Sequence, residues 1–568
     1  MMAVKATYRH YFSLLGLLWS LALGAQDLEN IQKDNLLSYS GGITVTNTYY
    51  HAKGTPMHRD PFFWQVNANL NLSVLDIIQA PFSFTISQQN RSFSQPQPFN
   101  RFGISPSYKG VTLHLGHRTL NFSDYTLAGN LFFGVGVEYE PKDNPLRVSA
   151  VYGRFAKPVD KFAQDGQIFA TPTYRRMGFG AKVGFETSEQ RAAVMFFKSL
   201  DDVHSITLAD SLSEEMVPTP EENLVMGAEC GFTIFQRFVV EGEYAYSLFT
   251  RDTRIPELFI NDYSFINNLA GLYKPNASST FTNAFKSQLT YQGDQVQINL
   301  AYRRVDPGYV THGSSFLNND LEDITAGFSL PLFNNKVNLS ASTGIQHNNL
   351  NDQNVAEVSR VIFSTSSTIT ASERLNFNLS YSNFSTSTRQ LLIRTDILSD
   401  TLEFFQVTKS AMFSSNYQVG SGSKKNTLFV SANFQDAHDN QGNASNFKSA
   451  NAGYSFTLGP SFSANTSLSY NQSESVGTTN TTYGPIFSLS RSFFENKVRN
   501  SLSLSVLNSH LGKTLNSNIN NIRWSASWSP AKQHNFGLNA FYILKNGRQE
   551  QSSQIQELRI TFNYSFRI

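Results

Sequence analysis

The sequence predicts an all-β chain: a transmembrane antiparallel up-and-down β-barrel of about 26 strands (range about 22 to 26) with short periplasmic turns and longer extracellular loops. Three observations predict it. Apolar and polar residues alternate with period two to the last residue. No run of about 18 apolar residues, the length a helix needs to cross a bilayer, follows the first 25 positions. Only 15% of residues are charged while 13% are aromatic, against about 25% charged in a typical soluble domain.

Residues 1–25 read in three parts: a basic start with Lys5 and Arg9, an apolar run from Tyr11 to Leu23, and the small pair Gly24 and Ala25 before Gln26. That order is expected of a cleaved Sec signal peptide. No Cys follows the expected cleavage point, so a lipoprotein anchor is not expected, and the single Cys230 allows no internal disulfide. Without Lys5 and Arg9 the 45 basic residues become 43, equal to the 43 acidic ones. A near-neutral chain is not expected to bind nucleic acid, which selects a basic surface. The domain reading is 1–25 signal, 26–36 a short periplasmic segment, and 37–568 the barrel.

The alternation is plainest in four places. Val296, Ile298, Leu300 and Tyr302 are interleaved with Gln295, Gln297, Asn299, Ala301 and Arg303. Leu375, Phe377, Leu379 and Tyr381 alternate with Asn376, Asn378, Ser380 and Ser382. Leu502, Leu504 and Val506 alternate with Ser501, Ser503 and Ser505, and Phe536, Leu538, Ala540 and Tyr542 repeat the pattern. In a strand, successive side chains take opposite faces, so each segment has one apolar and one polar face. A soluble sandwich would arm the polar face with Lys, Glu and Arg; here it is largely Asn, Ser, Thr and Gln. Arg147, Gln297, Asn299, Arg303, Asn376 and Asn378 are therefore expected to line the lumen. Tyr302, Tyr381, Tyr470 and Tyr542 end apolar faces, as an aromatic girdle at the membrane interface would.

Very short links recur at Tyr108–Gly110, Ser188–Gln190, Gln292–Asp294, Asn334–Lys336, Ser372–Arg374, Gly459–Ser461, Glu495–Lys497 and 529–533. They alternate with long ones at Lys157–Pro172, Leu200–Asn223, Arg251–Asn276, Asp306–Asn319 and Ser385–Thr401. Roughly 12 short turns and 13 long loops give the even strand number of this class. Phe62–Ile86 and Gly103–Asn121 alternate less cleanly than the rest. The last strand, with Leu558, Ile560, Phe562, Tyr564, Phe566 and Ile568 on one face, resembles the C-terminal aromatic strand read by the barrel-assembly machinery. Ile568 stands there in place of the usual Phe.

About 26 strands spaced about 4.8 Å apart and tilted about 40° enclose a barrel roughly 50 Å across. Side chains alone cannot fill that width. Inward-folded loops, of which Arg251–Asn276 is the longest, or a separate protein must occlude it.

Chemistry-bearing clusters are few. His114 and His117 are three apart, which on a strand sets them on opposite faces, His114 toward the lumen, so a shared metal is not expected. Asp201, Asp202, His204, Asp210, Glu214, Glu215, Glu221 and Glu222 form an acidic loop, as do Asn318, Asn319, Asp320, Glu322 and Asp323. A solvated loop is the plain reading of both, and calcium or a lipopolysaccharide-linked cation the sharper one. Arg118, Arg147, Arg154, Arg175, Arg176, Arg303 and Arg304 gather near strand ends. They are read either as anchors and partners of acidic lumen groups, or as an anion-selective or lipopolysaccharide-contacting patch. No phosphate loop, dinucleotide fingerprint, zinc spacing or Ser–His constellation is found, so no cofactor, no metal and no enzyme are expected.

Leu23-Gly24-Ala25-Gln26, the Asn/Ser/Tyr-rich strands, and the stretch from Leu115-Gly116-His117-Arg118 through Phe122-Ser123-Asp124-Tyr125-Thr126-Leu127-Ala128-Gly129 resemble outer-membrane barrels of Bacteroidetes. The resemblance implies compartment and fold and brings no functional residue with it. TonB-dependent transporters hold a folded plug domain ahead of the barrel, for which the ten polar residues Gln26–Asn35 are too few. Porins for small solutes manage with about 16 to 18 strands. The expected function is therefore a wide transport or translocation channel, or a subunit of an export or assembly complex. A non-conducting scaffold or surface-interaction barrel is the alternative, and a passive porin the third. Expected partners are outer-membrane lipid and lipopolysaccharide, the barrel-assembly machinery, and other outer-membrane or periplasmic proteins.

Overall fold

The structure, a computed structural model, describes residues 37–568 except 58, 76, 89–98, 160–162, 165–166, 169–171, 207–217, 259–268, 270, 352–358, 391–401, 421–423, 440–443, 476 and 549–553. The expected signal and the segment 26–36 lie outside the described residues.

The first strand, Leu37–Lys53, pairs antiparallel with Phe62–Val74 on one side and with the last strand, Ile555–Arg567, on the other. That second pairing closes the ring. Between these ends each strand pairs with its neighbours in the chain. The sheet contains 27 strand segments, and two of them, Arg101–Ile104 and Ser107–Tyr108, are halves of one interrupted strand. The ring therefore has 26 strands, as the alternation predicts, and closure leaves no edge of unpaired backbone groups for the bilayer to desolvate. The described residues contain no helix.

Short turns fall where the sequence places them, and several need left-handed backbone. Phe333, Asn334 and Asn335 have φ of 53°, 57° and 64°, and Phe494, Glu495 and Asn496 have 52°, 55° and 68°.

Directly opposed residues of antiparallel strands share a face, so the register transmits the inside–outside assignment around the wall. Val305 packs against Tyr309 inside the barrel, so Arg303 and its opposite Asp323 are inside too. Gly327 opposes Ser342, Ser342 opposes Ser364, and Ser364 opposes Ser382. Asn376 and Asn378 lie on this inner face. Ile298, Leu300, Ile324, Phe328, Leu379, Leu489, Leu502 and Leu504 lie on the other face and are exposed. A soluble protein rarely leaves so many large apolar side chains in water; a bilayer solvates them.

The inner face differs between the two parts of the ring. All three clusters of buried apolar residues lie within the stretch from Leu120 to Leu321. Beyond residue 350, Ala437, Ser467, Gly484, Ser509 and Ser517 are the buried residues among those described.

Candidate functional site: a strap and a turn docked inside the wall

Two connections fold into the barrel. One is the six-residue turn Phe122–Leu127 between strands Val111–Asn121 and Ala128–Tyr139; the other is the strap 306–320 between Gln297–Val305 and Leu321–Leu332.

The turn closes on itself first. Phe122 N donates to Leu127 O (2.7 Å), and the Ser123 and Thr126 hydroxyls bond at 2.7 Å. Its apolar side chains then enter the wall. Phe122 and Leu127 are buried with Leu120, Phe132, Val151, Phe155, Ala193, Met195 and Phe197. Each fully buried side chain of this size stabilises by about 1.5–3 kcal/mol. The wall has room because glycines face inward here. A Cβ on Gly180 would stand 3.1 Å from the Phe122 ring and one on Gly178 2.8 Å from the Phe155 ring. A Cβ on Gly227 would meet Thr126 at 2.8 Å.

The polar groups of the turn find charged partners on the wall. Lys182 Nζ donates to Phe122 O (2.6 Å), Tyr125 N donates to Glu243 (3.2 Å), and Asp124 pairs with Lys286. Lys286 stands six strand intervals from the Ala128–Tyr139 strand, about 29 Å along the wall at 4.8 Å per interval. A six-residue turn reaches it only because this arc of wall curls around the turn.

The strap crosses the mouth of that arc. Tyr309, 2% exposed, sits among Tyr125, Val225, Ala245, Ala284, Val305 and Leu321. Its hydroxyl donates to Tyr125 O at 2.8 Å, and the Thr311 hydroxyl donates to Thr126 O at 2.6 Å. Val310 O accepts from Asn223 Nδ2 (3.2 Å) and Ser247 Oγ (2.6 Å). Ala128 N donates to Gly313 O at 2.9 Å, which ties the strap to the base of the turn. Gly313 is required there, since a Cβ would lie 2.2 Å from Thr126 O. Strap and turn are thus one docked unit.

A buried ionic chain fastens its outer end. Arg176 holds Asp201 through two bonds (2.7 and 2.8 Å) and Glu221 through a third (2.7 Å). Glu221 accepts from His312 Nε2 at 3.0 Å, and Ser199 Oγ bonds His312 Nδ1 at 2.7 Å. Burial opposes the Glu221 charge, but the His312 hydrogen bond and the Arg176 guanidinium outweigh it and hold that carboxyl at about 2. Burial first, and the Arg176 charge second, push His312 below its ordinary value. At neutral pH the imidazole is uncharged: a carboxylate can only accept, so Nε2 carries the proton and Nδ1 accepts from Ser199.

These contacts correct three sequence expectations. Arg251–Asn276, the longest of the loops that could occlude the lumen, does not fold inward in its described part. Its Tyr273 buries itself on Leu224 and Leu248, with Phe196, Met226, Tyr246 and Phe281 around them; Leu224 is next to the inward Val225, so this is the outer wall. The acidic loop from Asp201 to Glu222 is not simply solvated: Asp201 and Glu221 grip Arg176, while Glu222 pairs with Lys198 and Asp202 with Arg175. Its Asp210, Glu214 and Glu215 lie outside the described residues. In the second acidic loop Asp323 pairs with Arg303 (2.5 Å) and Glu322 accepts from Tyr302 (2.6 Å).

The other expected site residues are placed as follows. Arg147 is inside, paired with Glu186 at 3.2 Å. Gln297 and Asn299 share the inner face of Arg303, and Asn378 accepts from Thr368 at 3.2 Å. His114 faces inward, bonded to Glu138 at 2.8 Å, while His117 faces outward between Phe102 and Phe133. Tyr302, Tyr381, Tyr470 and Tyr542 are outward-facing, each seven to nine residues beyond a short turn. Phe562, Tyr564 and Phe566 face outward on the closing strand, with Ile568 following it.

Sequence reasoning missed the strap and turn as a unit. A signal was present only for the wall behind them: Ala192 to Phe197 is apolar on both faces, and glycines recur two apart at Gly134 and Gly136 and at Gly178 and Gly180. Strands buried on both faces read as continuous apolar runs.

No protein-family model matches the chain, and no curated protein matches it. Among solved structures it is similar to the translocation pore of the P pilus usher PapC (10% identity, 93% of this chain and 99% of that chain, TM-score 0.36). It is similar to a mutant of the ferric enterobactin receptor PfeA from Pseudomonas aeruginosa (8% identity, 93% and 80%, TM-score 0.41). It is also similar to an E. coli P pilus tip assembly intermediate, PapC-PapD-PapK-PapG (11% identity, 93% and 60%, TM-score 0.44).

Proposed function

We propose that the chain is a wide outer-membrane translocation channel whose passage is narrowed on one side by its own docked strap and turn. One observation carries this reading. The inner unit is held to the wall by hydrogen bonds and ion pairs that can open, and it covers one arc of a ring roughly 50 Å across. The remaining inner wall carries Ser, Asn and Thr, a lining that tolerates water and large polar cargo. In this reading the Asn/Ser/Tyr-rich strands belong to a Bacteroidetes-type barrel exported behind a cleaved signal and inserted by the assembly machinery through Phe562, Tyr564, Phe566 and Ile568. Tyr302, Tyr381, Tyr470 and Tyr542 stand at the outer membrane interface, among lipid and lipopolysaccharide. Periplasmic or outer-membrane partners gate what passes.

The test is single-channel recording of the purified barrel, with and without residues 310–318 replaced by a short Gly/Ser link. A channel in the native barrel that widens in the variant supports translocation. A barrel that never conducts in either form supports the scaffold reading instead.

A further inference from the structure

One place in the ring is joined weakly. The interrupted strand meets Ile78–Ser87 at four positions of Arg101–Ile104 and one of Ser107–Tyr108, and meets Val111–Asn121 at only two positions of each half. Every other neighbouring pair in the ring is matched over at least seven positions, the count for Ala128–Tyr139 against Leu146–Ala156. Pro81 and Pro106 lie at this seam and lack the N–H a ladder needs. The Phe102 N–H is taken up by the His117 imidazole (3.4 Å) instead of a carbonyl. Beyond these few ladder positions, two backbone bonds cross the seam, Ser105 N to Pro81 O (3.0 Å) and Leu113 N to Pro106 O (2.9 Å), and side chains add the rest.

The principal joiner is Arg118, on the inner face two residues before the buried Leu120. It donates to Ser105 Oγ (2.8 Å) and Ser83 Oγ (2.7 Å), and to Pro81 O (3.3 Å), so it spans the seam. All three acceptors are neutral, and a guanidinium has five N–H groups. Six inner-face cations of the neighbouring arc, Arg147, Arg176, Lys182, Arg191, Lys286 and Arg303, each hold a carboxylate. Among the described residues Arg118 holds none. It faces a cavity of about 510 Å³ lined by Ser40, Asn69, Asn71, Ser83, Ser105 and His114, among others. His114 joins Ser105 Oγ (3.0 Å) to Glu138 (2.8 Å), and Arg118 is the one arginine or lysine among the residues that line the cavity. On the lipid side the same seam carries Phe82 and Phe84, with ring centroids 5.8 Å apart, and an exposed Phe102.

We propose that this cavity seats the phosphate, or a like oxyanion, of a membrane amphiphile whose acyl chains leave the barrel between Ile78–Ser87 and Val111–Asn121. A cationic pocket beside hydrocarbon suits an anionic headgroup, and hydrogen bonds to a charged partner are the strong kind. The seam supplies what a soluble anion would not need: a short stretch of wall that opens by exchanging a few bonds.

The test is titration calorimetry on the full-length barrel in neutral detergent, with short-chain phosphatidate, the matching diacylglycerol, and inorganic phosphate as separate probes. Phosphatidate binds, diacylglycerol and phosphate bind far more weakly, and Arg118→Gln weakens phosphatidate by about tenfold or more, the loss of a charged hydrogen bond. Asn71→Asp, which keeps Arg118 and its seam bonds but adds a carboxylate to the cavity, weakens it as well. Both variants must keep the heat-dependent gel shift of a folded barrel. Phosphate binding as tightly as phosphatidate would overturn the amphiphile assignment and leave a site for soluble phosphorylated solutes. Equal phosphatidate binding by the native barrel and Asn71→Asp would overturn the site.

Discussion

The wall from Val111 to Leu332 and the wall from Ser359 to Gly547 belong to one closed sheet, yet their inner faces obey different chemistry. In the first, the inner face resembles a soluble core: aromatic rings against glycines, and charges matched strand to strand. In the second, hydroxyls meet hydroxyls across the ladder, as Ser382 with Ser410 (2.9 Å), Ser488 with Ser503 (2.9 Å) and Ser501 with Ser525 (2.6 Å). Beyond His347, the ion pair among the described residues is His438 with Asp436 at 3.7 Å. The difference teaches that a β-barrel wall need not be uniform inside. Where a connection folds in, the wall behind it must be desolvated like a protein interior; where none does, the lining stays wet and its polar groups need only one another and water.

Substitutions can break this contrast, the largest effects first. Phe197→Ala removes a ring that is 0% exposed from the inner cluster, and is expected to cost about 3–5 kcal/mol. Gly180→Leu places a side chain where Phe122 and the Phe196 carbonyl already stand, and is expected to cost about 1–3 kcal/mol. Urea unfolding of the lipid-reconstituted barrel measures both. Ser501→Ala, on the wet side, should stay within about 1 kcal/mol of the native barrel. A loss at Ser501 equal to that at Phe197 would erase the distinction.

Acid sharpens the comparison further. The His312 value is lower when docked than free, so the released strap binds more protons and acidification favours release, beginning near the ordinary value of about 6.5. Glu221, about 2 when docked, adds to this as pH falls from its ordinary value of about 4.3 toward 2. Conductance should therefore rise in steps as pH drops below neutrality. His312→Gln, which keeps a donor to Glu221 without the titrating ring, should lose the first rise and retain the second.

Much of the wall was legible in the sequence because a membrane strand must show lipid one face and the lumen the other. Gln297 to Arg303 and Asn376 to Ser382 announce this with every second residue. The interrupted strand near Gly103 was legible only as a lapse in alternation. The strap was not legible, since Asp306-Pro307-Gly308 opens it as it would any surface loop, and its inward course depends on partners far away in sequence. Tyr309 meets Tyr125, and His312 meets Glu221 and Ser199, contacts that no local pattern encodes. The acidic loop misled for the same reason: Asp201 and Glu221 read as solvent-facing until Arg176 is seen between them.

The most direct measurement of the docked strap is cysteine labelling from outside intact cells, in a Cys230→Ser background. Thr311, buried against the turn, and Asn378, exposed on the wet inner wall, are each replaced by cysteine and treated with a bulky hydrophilic maleimide. The docked strap predicts fast labelling at position 378 and protection at 311 that is lost in mild acid, and kept there when His312 is also replaced by Gln. Labelling at 311 as fast as at 378 near neutral pH would contradict it.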